Sequence, residues 1–143
     1  MPAKFHELEV NARLKDRRKL SAFLDELVHH HLEDIKKISL TYIFCSDEHL
    51  LQINKEFLKH NTYTDIVTFD LSETGQDLTG EMYISTDRIT ENAEKFGVPY
   101  LQELHRVIFH GALHLCGFGD KKEADKQEMR KQEDKCLKQY FKD

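Results

Sequence analysis

The segment HGALHLCGFGD, residues 110–120, carries residue types at a spacing that could bind a metal ion. His110 and His114 are four positions apart, so on an α-helix their imidazoles point only about 40° apart. An i, i+4 histidine pair can bind one metal ion in this way. Gly117 favours a left-handed helix end, after which the reversed chain can bring Asp120 back beside the histidines.

Two imidazoles and one carboxylate would make three protein ligands, namely His110, His114 and Asp120, and would leave a fourth position for water. That arrangement is typical of catalytic zinc sites, and the metal-bound water is the expected nucleophile. The residues identify no general base. The structural alternative is that Asp120 only caps the last helix.

The spacing also resembles the zinc-protease motif HExxHxxGxxH, with two changes. Gly111 replaces the general-base glutamate, and Asp120 replaces the third histidine. A glycine inside a helix is unfavourable by roughly 1 kcal/mol relative to alanine, so it needs a reason. Either the site needs the space beside the metal, or the helix packs closely against its neighbour. Cys116 points away from both histidines and is interpreted as a small buried apolar side chain.

The histidines belong to a predicted helix over residues 100–116, with an apolar stripe on the side away from them. That stripe comprises Leu101, Leu104, Ile108, Ala112 and Leu115. The pattern around it predicts strands at residues 5–10, 38–45, 64–71 and 81–85. Two further helices are predicted at residues 14–32 and 121–141. Another is predicted to begin at a cap formed by Ser46 or Asp47, and one more to run from a cap at Thr86 or Asp87 to Phe96. Residues 72–79 are predicted to be a polar turn, and Gly97 is predicted to end the helix before it.

The length favours one domain, residues 1–143, and the order of the predicted strands and helices favours one sheet covered by helices. Three widely spaced cysteines argue against a disulfide framework and for a reducing compartment. No apolar run approaches the length of a membrane span, and the N-terminus does not resemble a signal peptide, so we expect a cytoplasmic protein. The net charge of −5 means that binding to nucleic acid would need a local basic surface.

Taken together, these residues resemble the YbeY endoribonucleases, whose signature is H-G-x-L-H-L-x-G-[YF]-x-H. Gly111 and the leucines at 113 and 115 match that signature, whereas zinc proteases do not. Further matches lie at Ile53-Asn54, at YTDIVTF (residues 63–69), at GEMYIS (residues 80–85) and at ENAE (residues 91–94). The resemblance therefore covers the chain from about residue 40 to its end.

The resemblance implies a zinc-dependent endoribonuclease, a hydrolase that prefers single-stranded RNA. It implies a role in 3′-end maturation of 16S ribosomal RNA and in ribosome quality control. Expected partners are ribosomal RNA, the small ribosomal subunit and assembly factors such as the Era GTPase, with neither DNA nor membrane. The expected cofactor is one zinc ion per chain, with another divalent metal as the alternative. The resemblance also implies an α+β fold with a single mixed sheet of about four strands flanked by about five helices, and a metal-binding helix distantly like that of zinc proteases.

Two departures from the family pattern affect this expectation. Asp120 stands where the third ligand is usually histidine, and an aspartate weakens the Lewis acid and favours harder ions. Leu58 stands where the family usually has an arginine. The neighbouring Lys59 and His60 are the candidate substrate-binding cations, and other basic candidates are Lys55, Arg88 and Arg106.

Three functions remain open from the sequence. The first is a metal-dependent RNA hydrolase. The second is a non-catalytic ribosome-assembly factor with a structural metal site, which Leu58 and the acidic net charge favour. The third is a peptidase-like hydrolase, which the missing glutamate at position 111 disfavours.

Overall fold

The computed structural model describes residues 1–58 and 64–142. Its strands are β1 (Ala3–Glu7), β2 (Lys37–Cys45), β3 (Ile66–Asp70) and β4 (Asp77–Ser85). Its helices are α1 (Arg17–His31), α2 (Asp47–Ile53), α3 (Thr86–Phe96), α4 (Tyr100–Leu115) and α5 (Glu123–Tyr140), and a π-helical turn, Asn54–Leu58, continues α2. The predicted α+β fold, with a four-stranded mixed sheet and five helices, is confirmed.

The strands lie in the order β1-β2-β4-β3. Both β1 and β4 run parallel to β2, while β3 pairs antiparallel with β4 at the sheet edge. The β3–β4 connection is a polar turn in which the backbone N–H and the hydroxyl of Thr74 each donate to Asp77 over 2.7 Å. These hydrogen bonds lower the pKa of Asp77 to about 2 and fix the start of β4.

One face of the sheet carries the main core. Tyr42 and Met82 are fully buried on this face beneath α4, and the Tyr42 hydroxyl donates to the carbonyl of Ile108 over 2.8 Å. The opposite face has a smaller cluster beneath α2, formed by Cys45, Leu50, Ile53 and Val67. The two faces follow from the strict alternation of buried and half-buried residues along β2 and β4.

Two predicted strands had the wrong bounds. β4 begins at Asp77 rather than at residue 81, because the whole length of β2 pairs with it, from Lys37 opposite Asp77 to Cys45 opposite Ser85. Residues 77–79, the last part of the predicted turn, are thus the first part of a strand. β1 spans Ala3–Glu7 rather than residues 5–10, since Ala3 pairs with Leu40 and is fully buried.

The helix ends follow local chemistry. Ser46 caps α2 by accepting from the backbone N–H of His49 over 3.2 Å, as predicted. Ser85, and not Thr86 or Asp87, caps α3 by accepting from the N–H of Arg88 over 3.1 Å. Gly97 ends α3 in the left-handed region with φ 67, as predicted.

Gly111 decides how closely α4 approaches the sheet. A Cβ at this position would lie 2.9 Å from both Ile66 Cδ1 and Met82 Cγ. The glycine therefore serves close packing, and the alternative that it opens space beside a metal is wrong. Cys116 is half-buried rather than fully buried, and burial raises the pKa of its thiol to about 11.

None of the helices in the described part of the chain is both long enough and apolar enough to cross a membrane.

Candidate metal centre

The centre lies where α4 meets α5 and the loop between them. His110 and His114 are both on α4, as predicted, but α4 is buried on more sides than its apolar stripe indicated. Side chains outside that stripe, such as Glu103 and Val107, are also buried. The reason is that α5 covers the side of α4 that the sequence pattern left open.

The ring of His110 is held by a carboxylate from α5. Its Nδ1 lies 2.7 Å from Glu133 Oε2, and the Glu133 side chain is only 7% exposed. Arg106, one turn before His110 on α4, donates to the other oxygen of Glu133 over 3.0 Å and to Asp134 over 2.6 Å. Glu133 is therefore fixed on both sides, and it fixes the orientation of the imidazole.

The other ring nitrogen of His110 faces Asp120. The distance between His110 Nε2 and Asp120 Oδ2 is 3.3 Å. Two ligands of a tetrahedral zinc ion, each about 2.0–2.2 Å from the metal, are separated by roughly 3.3–3.6 Å. The spacing and the chemistry of these two donors therefore fit a zinc ion between them.

The turn after α4 brings Asp120 to this position. Gly117 has φ 106, the N–H of Gly117 donates to the carbonyl of His114 over 3.0 Å, and the N–H of Phe118 donates to the carbonyl of Leu113 over 3.1 Å. The chain reverses at the predicted glycine. Asp120 does not cap α5, because the capping position is Lys122, which makes no side-chain capping bond.

His114 is one helical turn beyond His110 and is exposed. Among residues 1–58 and 64–142, no group of three or more His, Cys, Asp or Glu side chains is arranged to hold a metal ion. Of the three predicted ligands, the structure thus brings His110 and Asp120 together, and His114 does not complete a cluster with them. As an exposed side chain it can change rotamer within nanoseconds, so its position does not conflict with a third ligand.

Negative charge surrounds His110. Burial lowers the pKa of its imidazole, but the hydrogen bond that the ring donates to Glu133 and the charges of Glu133, Asp65 and Asp120 outweigh burial, so the net pKa is raised. A site with this sign attracts a cation to Nε2. Burial raises the pKa of the neighbouring Asp65, and the charge of His110 partly opposes that rise.

Glu103 is a further buried carboxyl on α4, 5% exposed. Burial is the main cause of its raised pKa, and the charge of Asp65 adds to the rise, while the charges of Arg106 and Arg130 oppose it. Glu103, Asp65 and Glu133 were all missed in the sequence. One signal was available for Glu133, since it interrupts the apolar stripe of α5 between Met129 and Leu137.

The predicted substrate-binding residues are placed only in part. Lys59 and His60 lie outside the described residues. Leu58 is 41% exposed, and Lys55 is exposed on the same turn. Arg106 is held by Glu133 and Asp134, so its charge is already matched inside the centre.

Arg88, the remaining basic candidate, belongs to a separate network. It pairs with Asp47 over 2.8 Å and with Glu91 over 3.2 Å, and Asp47 also accepts from the Ser85 hydroxyl over 2.7 Å. These contacts join the starts of α2 and α3. We therefore interpret Arg88 as a residue that stabilises the fold.

Comparison with protein families gives one match that spans almost the whole chain. The family model described as Endoribonuclease YbeY matches residues 6–141. The solution structure of TM1509 from Thermotoga maritima superposes with a TM-score of 0.61 over 97% of this chain and 89% of that one. At 22% sequence identity, that structure supports the fold alone.

Curated relatives are similar over most of their length. A protein of Bacteroides thetaiotaomicron is 51% identical over 98 residues, which cover 68% of this chain and 71% of the relative. One of Flavobacterium psychrophilum is 48% identical over 71% of each chain. One of Cytophaga hutchinsonii is 41% identical over 93% of this chain and 92% of its own. All three carry the name Endoribonuclease YbeY.

Proposed function

The chain belongs to the YbeY endoribonuclease family, and on that premise we propose that it is a zinc-dependent endoribonuclease that cleaves single-stranded RNA. It hydrolyses phosphodiester bonds, and it acts in 3′-end maturation of 16S ribosomal RNA and in ribosome quality control. Its partners are ribosomal RNA, the small ribosomal subunit and assembly factors such as the Era GTPase. It works in the cytoplasm, in keeping with three cysteines that are all free.

The observation that carries this proposal is the pair of contacts made by one imidazole. His110 Nδ1 is held by Glu133 at 2.7 Å, while Nε2 faces Asp120 at 3.3 Å. A histidine that binds a metal through one nitrogen commonly donates its other N–H to a carboxylate. The His110 ring is thus oriented as a metal ligand.

His110, Asp120 and His114 would hold the ion. When bound, zinc supplies Lewis acidity, which makes water a better nucleophile near neutral pH. Glu133 keeps Nε2 directed at the ion, and Arg106 keeps Glu133 in place. The carboxylate of Asp120 adds negative charge to the ligand set, so this centre is a weaker Lewis acid than one built on three histidines.

A non-catalytic assembly factor is the second candidate. Two observations favour it: His114 is exposed and apart from the other two donors, and the exposed Leu58 replaces the usual arginine. A peptidase is disfavoured, because position 111 faces Ile66 and Met82 and offers no place for a general base.

The test is metal analysis of the purified protein, followed by cleavage of a labelled single-stranded RNA and of the same sequence as a duplex. We expect close to one zinc per chain, cleavage of the single strand, loss of cleavage with a chelator and recovery with added zinc. A zinc-loaded protein that leaves RNA intact would instead support the assembly factor.

A further inference from the structure

The outward face of α5 carries five exposed cations: Lys126, Arg130, Lys131, Lys135 and Lys138. They line one open groove along the helix. Within the described part of the chain, none of the five forms an ion pair, unlike Arg88 and Arg106. We call this set the α5 cationic face.

The spacing of the five side chains follows from helix geometry. From Lys126 to Lys138 the helix rises by about 18 Å. At about 100° per residue, Lys131, Lys135 and Lys138 fall within roughly 60° of one another. They point away from the buried stripe of α5, so the three charges form one row in solvent.

A second row leads towards the candidate metal centre. Lys126 and Arg130 are about 40° apart around the helix, and Lys126 is only about 20° from Glu133. Glu133 in turn contacts His110, and the charge of Arg130 lowers the pKa of the buried Glu103 on α4. The α5 cationic face is therefore continuous with the edge of the site that holds His110.

The positive charge of this face stands out in a chain whose net charge is −5. Two acidic residues, Glu123 and Asp134, line the same groove. The five cations of the groove outnumber these two carboxylates and leave a formal excess of three positive charges. The lining of the groove is thus net positive in a chain that is net negative as a whole, and it supplies the basic surface that binding to nucleic acid requires.

We propose that the α5 cationic face binds the phosphate backbone of single-stranded RNA and leads the strand to the centre at His110. This inference rests on the proposed function and names the surface that would bind its substrate. The one aromatic residue within α5, Tyr140, is buried, and the exposed ring of Phe141 lies beyond the end of the helix, so the five cations are the groups of this face that would contact the strand along its length. Lysines contact phosphates without reading bases, and binding through this face is therefore independent of sequence.

The experiment compares two triple variants with the same change of charge. The test variant is Lys131→Gln/Lys135→Gln/Lys138→Gln on the α5 cationic face. The control is Lys4→Gln/Lys36→Gln/Lys37→Gln, whose lysines are exposed in and beside β1 and β2. Fluorescence anisotropy follows binding of a labelled single-stranded oligoribonucleotide of mixed sequence, with chelator present to prevent cleavage, over a series of salt concentrations.

We expect the test variant to lose about tenfold in affinity at low salt and the control to lose less than about twofold. The slope of log affinity against log salt should fall by about 0.7 for each phosphate contact removed, hence by roughly 2 in the test variant. The conservative variant Lys131→Arg/Lys135→Arg/Lys138→Arg should keep the slope of the unmodified protein.

Equal losses in the test and control variants would overturn the proposal, since net charge and not this surface would then govern binding. Unchanged binding in the test variant would overturn it as well, while leaving the proposed function intact. Failure of the unmodified protein both to bind and to cleave RNA would instead remove the proposed function. The single variant Lys135→Gln, with an expected slope change of about 0.7, replaces the triple variant if thermal melts show the latter to be unfolded.

Discussion

His110 on α4 and Glu133 on α5 are joined by a hydrogen bond of 2.7 Å between Nδ1 and Oε2, in a region where the Glu133 side chain is 7% exposed. The contact connects two residues that are 23 positions apart in sequence. It leaves Nε2 of His110 free to face Asp120 and thereby links the packing of α5 to the chemistry of the centre.

Glu133→Gln should weaken zinc binding by about 10–100-fold, because an amide has one accepting oxygen and cannot accept from both the His110 N–H and the Arg106 guanidinium as a carboxylate does. Calorimetric zinc titration measures the change. The matched control is Asp134→Asn, which also removes a carboxylate partner of Arg106 but does not touch His110. Equal zinc affinity in Glu133→Gln and the unmodified protein would contradict the positioning role.

His110→Ala and His114→Ala should both reduce zinc binding, but they should differ in how much they destabilise the metal-free protein. His110→Ala leaves the buried Glu133 with one hydrogen-bond partner fewer, and we expect it to lower the free energy of unfolding by about 1–3 kcal/mol. His114→Ala changes an exposed side chain, so its free energy of unfolding should stay within about 0.5 kcal/mol of that of the unmodified protein. Denaturant titration with chelator present measures both, and equal stabilities would show that the Glu133 contact contributes nothing.

Asp120→Ala should lower zinc affinity and leave metal-free stability nearly unchanged, since Asp120 does not cap α5. Asp120→His should retain zinc, because imidazole nitrogen and carboxylate oxygen bind it at similar distances. The swap removes one negative charge from the ligand set, so any RNA cleavage should hold or rise at neutral pH. Zinc titration and thermal melts of both variants check this, and unchanged affinity in the alanine variant would exclude Asp120 as a ligand.

Gly111→Ala should destabilise the protein by about 1–2 kcal/mol, because overpacking against Ile66 and the fully buried Met82 exceeds the gain in helix propensity. Gly75→Ala is the control, since a Cβ there has no neighbour within 4 Å in the described structure. Urea unfolding compares the two substitutions. A more stable Gly111→Ala protein would mean that α4 shifts away from the sheet without penalty.

Glu103→Gln should raise the melting temperature at pH 7, since the raised pKa of Glu103 means that burial of its charged form is unfavourable. The sign follows from linkage. A carboxyl whose pKa is higher in the folded than in the unfolded protein stabilises the fold fully at pH values below the unfolded pKa, near 4.3. That stabilisation is lost as the pH rises through the folded pKa. The advantage of the glutamine variant should therefore vanish below about pH 4.

Melts from pH 4 to pH 8 with chelator present test this, with Glu33→Gln, an exposed substitution, as the control. A constant difference between Glu103→Gln and the unmodified protein across that range would contradict the assignment.

The sequence determined those features that depend on neighbours along the chain. The cap at Ser46, the helix end at Gly97 and the reversal at Gly117 each follow from backbone chemistry within a few residues. The i, i+4 spacing of His110 and His114 on one helix is of the same kind. The approach of Asp120 to His110 was also predictable, because the turn between them is short.

Only the tertiary structure decided which distant groups meet. The first residues of β4 have the composition of a turn, and they form a strand because they pair with β2. The need for a glycine at position 111 is explained by the side chains of Ile66 and Met82, which lie on β3 and β4. Glu133 reaches His110 because docking of α5 buries both, and a buried carboxylate must find a donor. Such contacts depend on how the helices and strands pack together, and the spacing of residue types along the chain does not show which side chains will meet.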